Sequence, residues 1–318
     1  QTFGAAVTQV RALLATIQDG APQAAGNETA CQTLLAHLLL RQAHILAPIF
    51  GQLTEAEAMV TEVVAWGRRL GDQTLTAWGY YEGSVIAYGQ GDYERQRDLL
   101  HLALPLAQQQ GDLYQQAYCL QMMGINLKMW DQYAAALQAL AEALTLAETV
   151  GASRLALLIY GNLGACHYAA GNFMQALAAF QQILVHAQQM AQHDQVNFAT
   201  LVLGSVAITL GDYANARRCV ETAYAAYMEM GNDVMSTQAL GTLADLFLET
   251  GEMALAAAYC QRALATSAAQ TYDVLRALLL VQGKLHAHAG DWSAARTTYE
   301  RAYALIQPNN LPALLLAV

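Results

Sequence analysis

The stretch Leu203–Ala223, LGSVAITLGDYANARRCVETA, decides the fold. At its centre Gly211-Asp212-Tyr213 reads as a corner, in which glycine supplies the left-handed backbone that ends one helix and aspartate caps the next. Leu203 and Gly204 stand eight and seven residues before Gly211, and Ala216, Val220 and Ala223 stand five, nine and twelve after it. Ala216, Val220 and Ala223, four and three residues apart, share one face of the second helix. Gly204 and Ala216 then let two helix backbones approach, while Leu203, Tyr213 and Val220 fill the space around the contact.

The corner recurs along the chain, at Gly51-Gln52-Leu53, Gly91-Asp92-Tyr93, Asp131-Gln132-Tyr133, Gly171-Asn172-Phe173, Gly251-Glu252-Met253 and Gly290-Asp291-Trp292. The period is 40 residues, then 39 at the last step. A second set of breaks lies midway, at Gly71-Asp72, Gly111-Asp112, Gly151-Ala152, His193-Asp194, Gly231-Asn232 and Gln270-Thr271. Each unit is therefore two helices, A then B, of about 17 residues and roughly 25 Å each. Such a unit cannot bury its own apolar face and gains a core by stacking on its neighbours. The small and bulky positions recur as Met123, Gly124, Tyr133, Ala136, Leu140 and Ala143, as Leu163, Gly164, Phe173, Ala176 and Phe180, and as Gly283, Trp292, Ala295, Tyr299 and Ala302.

This Leu-Gly, Gly-Asp-Tyr, Ala-x3-Tyr/Phe-x2-Ala pattern resembles the tetratricopeptide repeat, whose unit usually has about 34 residues. The resemblance covers seven units, roughly residues 30 to 307, and implies an all-α, right-handed α-solenoid. His44 stands where the first unit should have glycine, and Ser84 and Gln96 occupy both small positions of the second. HEAT-type repeats share the 40-residue period but lack the corner signature. Corners such as Gly91–Arg97, GDYERQR, look like those in the sensor arms of bacterial signal-transduction ATPases and large transcription regulators. That likeness implies a non-enzymatic, cytoplasmic ligand- or protein-binding domain, the sensor or partner-recruiting arm of a regulatory protein, with an ATPase or DNA-binding domain fused outside this segment. The alternative is a structural scaffold of a larger assembly without a small-molecule ligand.

Three regions are expected. Residues 1–29 form an N-terminal helix (Ala5 to Ile17, with Val7, Val10, Leu13, Leu14 and Ile17 on one face) and a linker over Asp19 to Asn27, either capping the array or left from a preceding region. Residues 30–309 form the seven-repeat array, and 310–318 begin a further helix. Pro105 is expected to kink helix B of the second unit.

Composition narrows the function classes. A formal charge of -10 without a basic run argues against direct nucleic-acid contact. The apolar runs are too short for a membrane span. Five Cys without CxxC, within helical segments, read as reduced buried thiols. Gly283-Lys284 is followed by Leu285 and lacks the preceding glycine of a phosphate-binding loop, and HExxH, GxSxG and GxGxxG are absent. No cofactor is expected. His37, His44, His186 and His193 pair at spacings of seven, about 10 Å along a helix, so no metal site is expected either. Asp245 and Glu249, an i,i+4 carboxylate pair, are read as a solvated face.

The tetratricopeptide resemblance further implies that helix A lines a concave groove at positions thirteen, ten, nine, six, three and two before each corner. These give Trp78, Tyr81 and Tyr88 in the second unit, and Tyr118, Gln121, Met122 and Lys128 in the third. Asn162 and Tyr168 follow in the fourth, Phe198 and Ser205 in the fifth, and Lys284 and His288 in the seventh. Aromatic side chains in such a stripe serve either as a platform for a protein, peptide or small-molecule effector, or as inter-repeat core. The peptide-carboxylate clamp of chaperone-binding relatives needs Lys, Asn and Arg on consecutive A helices, and only Lys128 and Asn162 stand near such places.

Overall fold

The corners close by one exchange of backbone groups. At Gly91 (φ 76°) the N–H of Asp92 reaches back to the carbonyl of Ala87 at 2.9 Å, and the Asp92 carboxylate accepts the N–H of Arg95 at 3.0 Å. One Gly-Asp pair thus terminates a helix and caps its successor. The same bonds recur at Gly71-Asp72, Gly211-Asp212 and Gly290-Asp291.

The structure, a computed structural model, describes residues 2–18, 25–50, 52–270 and 272–306. Among these are fifteen α-helices: α1 (Thr2–Gln18), α2 (Ala25–Phe50), α3 (Leu53–Leu70), α4 (Gln73–Gln90), α5 (Tyr93–Gln109), α6 (Leu113–Met129), α7 (Tyr133–Thr149), α8 (Ser153–Ala169), α9 (Phe173–Gln189), α10 (His193–Thr209), α11 (Tyr213–Glu229), α12 (Asp233–Glu249), α13 (Met253–Leu264), α14 (Tyr272–His288) and α15 (Trp292–Ile306). From α2 onward they form seven A/B pairs, the all-α arrangement of a tetratricopeptide solenoid. The chain divides into two compact units, one of residues up to Leu127 with Gln138–Leu155, the other of Lys128–Leu137 with residues from Ala156 onward. In the first, α2 packs on α4; in the second, α10 packs on α12 and α12 on α14, so successive A helices are neighbours.

The small positions are where a side chain of helix B packs directly onto the backbone of helix A. A methyl group built on Gly204 would lie 2.6 Å from Val220 Cγ2, one on Gly164 2.4 Å from the Phe180 ring, and one on Gly283 2.5 Å from the Tyr299 ring. The second unit solves the same contact with polar groups. Gln96, fully buried, accepts from Asn126 Nδ2 at 2.8 Å, and the same amide donates to the Tyr93 carbonyl at 2.8 Å. Buried Ser84 donates to the Tyr81 carbonyl at 2.6 Å.

Several sequence expectations shift. The break assigned to His193-Asp194 lies at Ala191, which takes the left-handed conformation (φ 51°) without being glycine, and His193 already opens α10. The break assigned to Gln270-Thr271 starts earlier, since α13 stops at Leu264. The Thr266 hydroxyl there accepts the N–H of Ala269 at 3.2 Å and starts the 3-10 turn Ser267–Gln270. Helix α2 begins at Ala25, within the stretch expected to be linker. Pro105 lies inside helix α5, which runs on to Gln109, in keeping with its expected place within helix B. Gly51, Thr271 and residues 310–318 lie outside the described residues. Helix α1 seats Val7 against Leu35, Leu39 and Val63, and Arg11 pairs with Glu62.

Candidate functional site

Helices α4 and α6 of the first unit bring four rings together. Trp78 meets Tyr81 at 5.5 Å, Tyr118 at 5.7 Å and Tyr114 at 6.2 Å between centroids, and the Tyr118 ring lies 5.4 Å from Tyr81 and 5.0 Å from Tyr114. All but the Trp78–Tyr114 contact, which is tilted, are edge-on, the arrangement favoured by the ring quadrupole. Tyr81 and Met122 are buried and packed with Trp78 and Tyr118, forming the floor of this cluster, and Gln121 is buried too. Trp78 and Tyr118 are half-buried, and Tyr114 is exposed. Burial, then the hydrogen bond to Tyr114 (3.3 Å between oxygens), pushes the Tyr118 phenol well above its ordinary range; burial does the same to Tyr81. Tyr114 escaped the groove rule because it stands one turn before the first counted position. Tyr88 is turned to another neighbour, its ring 5.7 Å from Tyr93.

The remaining expected residues belong to the second unit. Lys128 and Asn162 are half-buried on α6 and α8. Phe198 packs into the core cluster of Leu157, Phe180 and Ile183. Tyr168 is exposed, its ring 5.4 Å from Phe173 and its hydroxyl 2.7 Å from Thr209 Oγ1.

Tyr168 also borders a cavity of about 560 Å³ built by the A helices of this unit. Helix α10 contributes Ser205, Ile208 and Thr209; α12 contributes Gln238, Gly241, Thr242 and Asp245; α14 contributes Ala277, Leu280, Val281 and Lys284. All of these stand at positions counted back from a corner. Val274, Arg276, Leu278 and Tyr299 complete the lining and do not. Along α14 the wall is apolar at Ala277, Leu278, Leu280 and Val281 and also carries both cations, Arg276 and Lys284; along α10 and α12 it is mostly polar. The Ser205 and Thr242 hydroxyls donate to carbonyls one turn back, leaving their oxygens able to accept, whereas Thr209, which donates likewise, is already engaged by the Tyr168 hydroxyl.

The charges in this cavity are arranged unevenly. Lys284 donates to Asp245 at 2.9 Å and lies 3.9 Å from Glu249. Burial works against its charge, but the Asp245 hydrogen bond and the two carboxylates outweigh it and hold the ammonium above its usual range. The two acids read as a solvated face are thus ligands of one lysine, a link between α12 and α14. The sequence hid this because the partners are 39 residues apart. Arg276, in contrast, has its Nε enclosed with no hydrogen-bond partner among the described residues. No three His, Cys, Asp or Glu side chains among the described residues stand where they could share an ion.

Residues 155–229 and 201–274 match tetratricopeptide-repeat family models. Residues 155–274 of the chain thus carry tetratricopeptide repeats. Its fold is similar to that of the apo form of RapI, with a TM-score of 0.68 and 15% identity over 86% of this chain and 99% of that one. It is also similar to the Rap conjugation gene regulator of plasmid pLS20 in complex with the Phr* peptide, with a TM-score of 0.68 and 13% identity over 92% of this chain and 78% of that one. A third likeness is to a signal-transduction ATPase with a tetratricopeptide-repeat sensor from Pyrococcus horikoshii, with a TM-score of 0.60 and 14% identity over 89% of this chain and 42% of that one. At such identities the likeness is one of fold. A sequence search of curated proteins finds no significant match. No described helix is long and apolar enough to cross a membrane.

Proposed function

We propose that this chain is a non-enzymatic binding domain that holds a peptide, or an extended segment of a partner protein, against its A helices, as the sensing arm of a regulatory protein. The observation that carries this reading is the 560 Å³ cavity of the second unit, whose lining comes mostly from the positions a tetratricopeptide repeat turns toward a ligand. A volume of this size accommodates several side chains, and its mixture of an apolar wall with hydroxyl and amide groups suits a peptide. The structural likeness to a regulator in complex with the Phr* peptide supports the same class of ligand. Asp245 and Glu249 both neighbour the Lys284 ammonium, an ion-pair network rather than an acid-base couple, which favours binding over catalysis. In the first unit, the exposed rims of Trp78, Tyr114 and Tyr118 are proposed as a second contact surface.

Capture from a random heptapeptide pool tests the reading. The full chain is expected to retain a peptide subset. Ser205→Trp together with Thr242→Trp, which puts two indoles into the cavity, should reduce retention at least ten-fold with unchanged helical circular dichroism. Met174→Trp, on the exposed side of α9, should leave retention intact. Equal retention by all three proteins would place binding elsewhere.

A further inference from the structure

We infer that Arg276 is the carboxylate-recognising end of this cavity, so that the ligand is an acidic peptide, one presenting an Asp or Glu side chain or its free C-terminus beside an apolar residue. This rests on reading the cavity as a peptide groove, and it adds which peptides enter. Two cations line the cavity, and they differ in what they have left to offer. Lys284 is committed to Asp245 at 2.9 Å, with Glu249 at 3.9 Å completing the network. Arg276 makes no hydrogen bond or ion pair among the described residues; its Nε is enclosed by protein without an acceptor, so an incoming group meets the guanidinium at its terminal Nη atoms, where the residue lines the cavity. An always-charged planar fork of donors, partly withdrawn from water and facing a cavity, is matched by a carboxylate, whose two oxygens take parallel N–H bonds. Val274, Leu280 and Val281 give the same cavity an apolar part. Low local polarity strengthens that pairing and gives an adjacent aliphatic side chain a place to rest. Ser205 and Thr242 line the same cavity, and their hydroxyl oxygens suit backbone N–H groups and not a second anion. The site therefore takes one negative group at one end.

The composition of the retained heptapeptides tests this without any variant, using one pool with free C-termini and one with amidated C-termini. Enrichment of Asp or Glu in both pools assigns the carboxylate to a side chain; retention from the free-acid pool alone assigns it to the chain terminus. Either result supports the inference if Arg276→Gln abolishes the preference and Arg276→Lys restores part of it. Retained peptides with no carboxylate preference, or a preference unchanged in Arg276→Gln, would overturn the inference while leaving the groove standing. Retention of no peptide by the wild-type chain would overturn the groove itself, and the carboxylate end with it.

Discussion

Gly204 and Ala191 set opposite constraints on a side chain. At Gly204 a methyl group would come within 2.6 Å of Val220 Cγ2 and 3.3 Å of Cys219 Cβ, so the helix pair must separate to admit it. Gly204→Ala is expected to destabilise the chain by about 1–3 kcal/mol, against the helix preference of alanine, because overpacking outweighs propensity. Gly161 lies on the neighbouring A helix with nothing closer than 3.7 Å to the same group, and Gly161→Ala should be neutral or stabilising. Ala191, held at φ 51°, carries the cost of a left-handed residue, and Ala191→Gly should stabilise by about 0.5–1 kcal/mol. Urea midpoints of the three variants check the signs; a destabilised Ala191→Gly would contradict the corner geometry. At this scale the sequence was readable wherever glycine marked the backbone. The break near residue 191 was misplaced because its left-handed residue is an alanine, and nothing in composition distinguishes it.

Between elements, the first unit departs from the repeat at His44, and the departure carries a pH dependence. His44 Nδ1 lies 2.8 Å from Glu82 Oε1, joining α2 to α4 at a place where other units use a small residue. The Glu82 hydrogen bond, opposed in part by burial, raises the His44 pKa above 6.5. A raised folded-state value means the pair contributes fully below the unfolded value near 6.5 and is lost as pH climbs through the higher folded value. Melting temperature should therefore fall from pH 6 to pH 8.5 more steeply in the wild type than in His44→Gln. Parallel slopes would show that the pair is energetically silent. Helix lengths and order were legible from the 40-residue period, because each Gly-Asp closes one helix and caps another. The early stop of α13 was not, since it depends on the Thr266 side chain rather than on a glycine or proline.

For the whole molecule, positions counted back from each corner make up most of the cavity wall in the second unit, although of the residues expected there only Tyr168, Ser205 and Lys284 border it, and the aromatic residues of the first unit divide between buried and partly open. Tyr81 and Met122 are buried between helices, while Trp78 and Tyr118 keep a partly open face. Periodicity reports which way a side chain points but not what neighbouring helices place over it. The Lys284–Asp245 link, and the Arg276 Nε that has no partner among the described residues, were invisible for the same reason, as they depend on what neighbouring helices place there. The central claim is that the A helices of the second unit form a peptide groove. Amide hydrogen exchange of the full chain, with and without a heptapeptide recovered from the pool, tests it most directly. Added protection should fall on α10, α12 and α14, around Ser205, Thr242 and Leu280, and spare α11 and α13. Protection confined to α11 and α13, or unchanged exchange at saturating peptide, would contradict it.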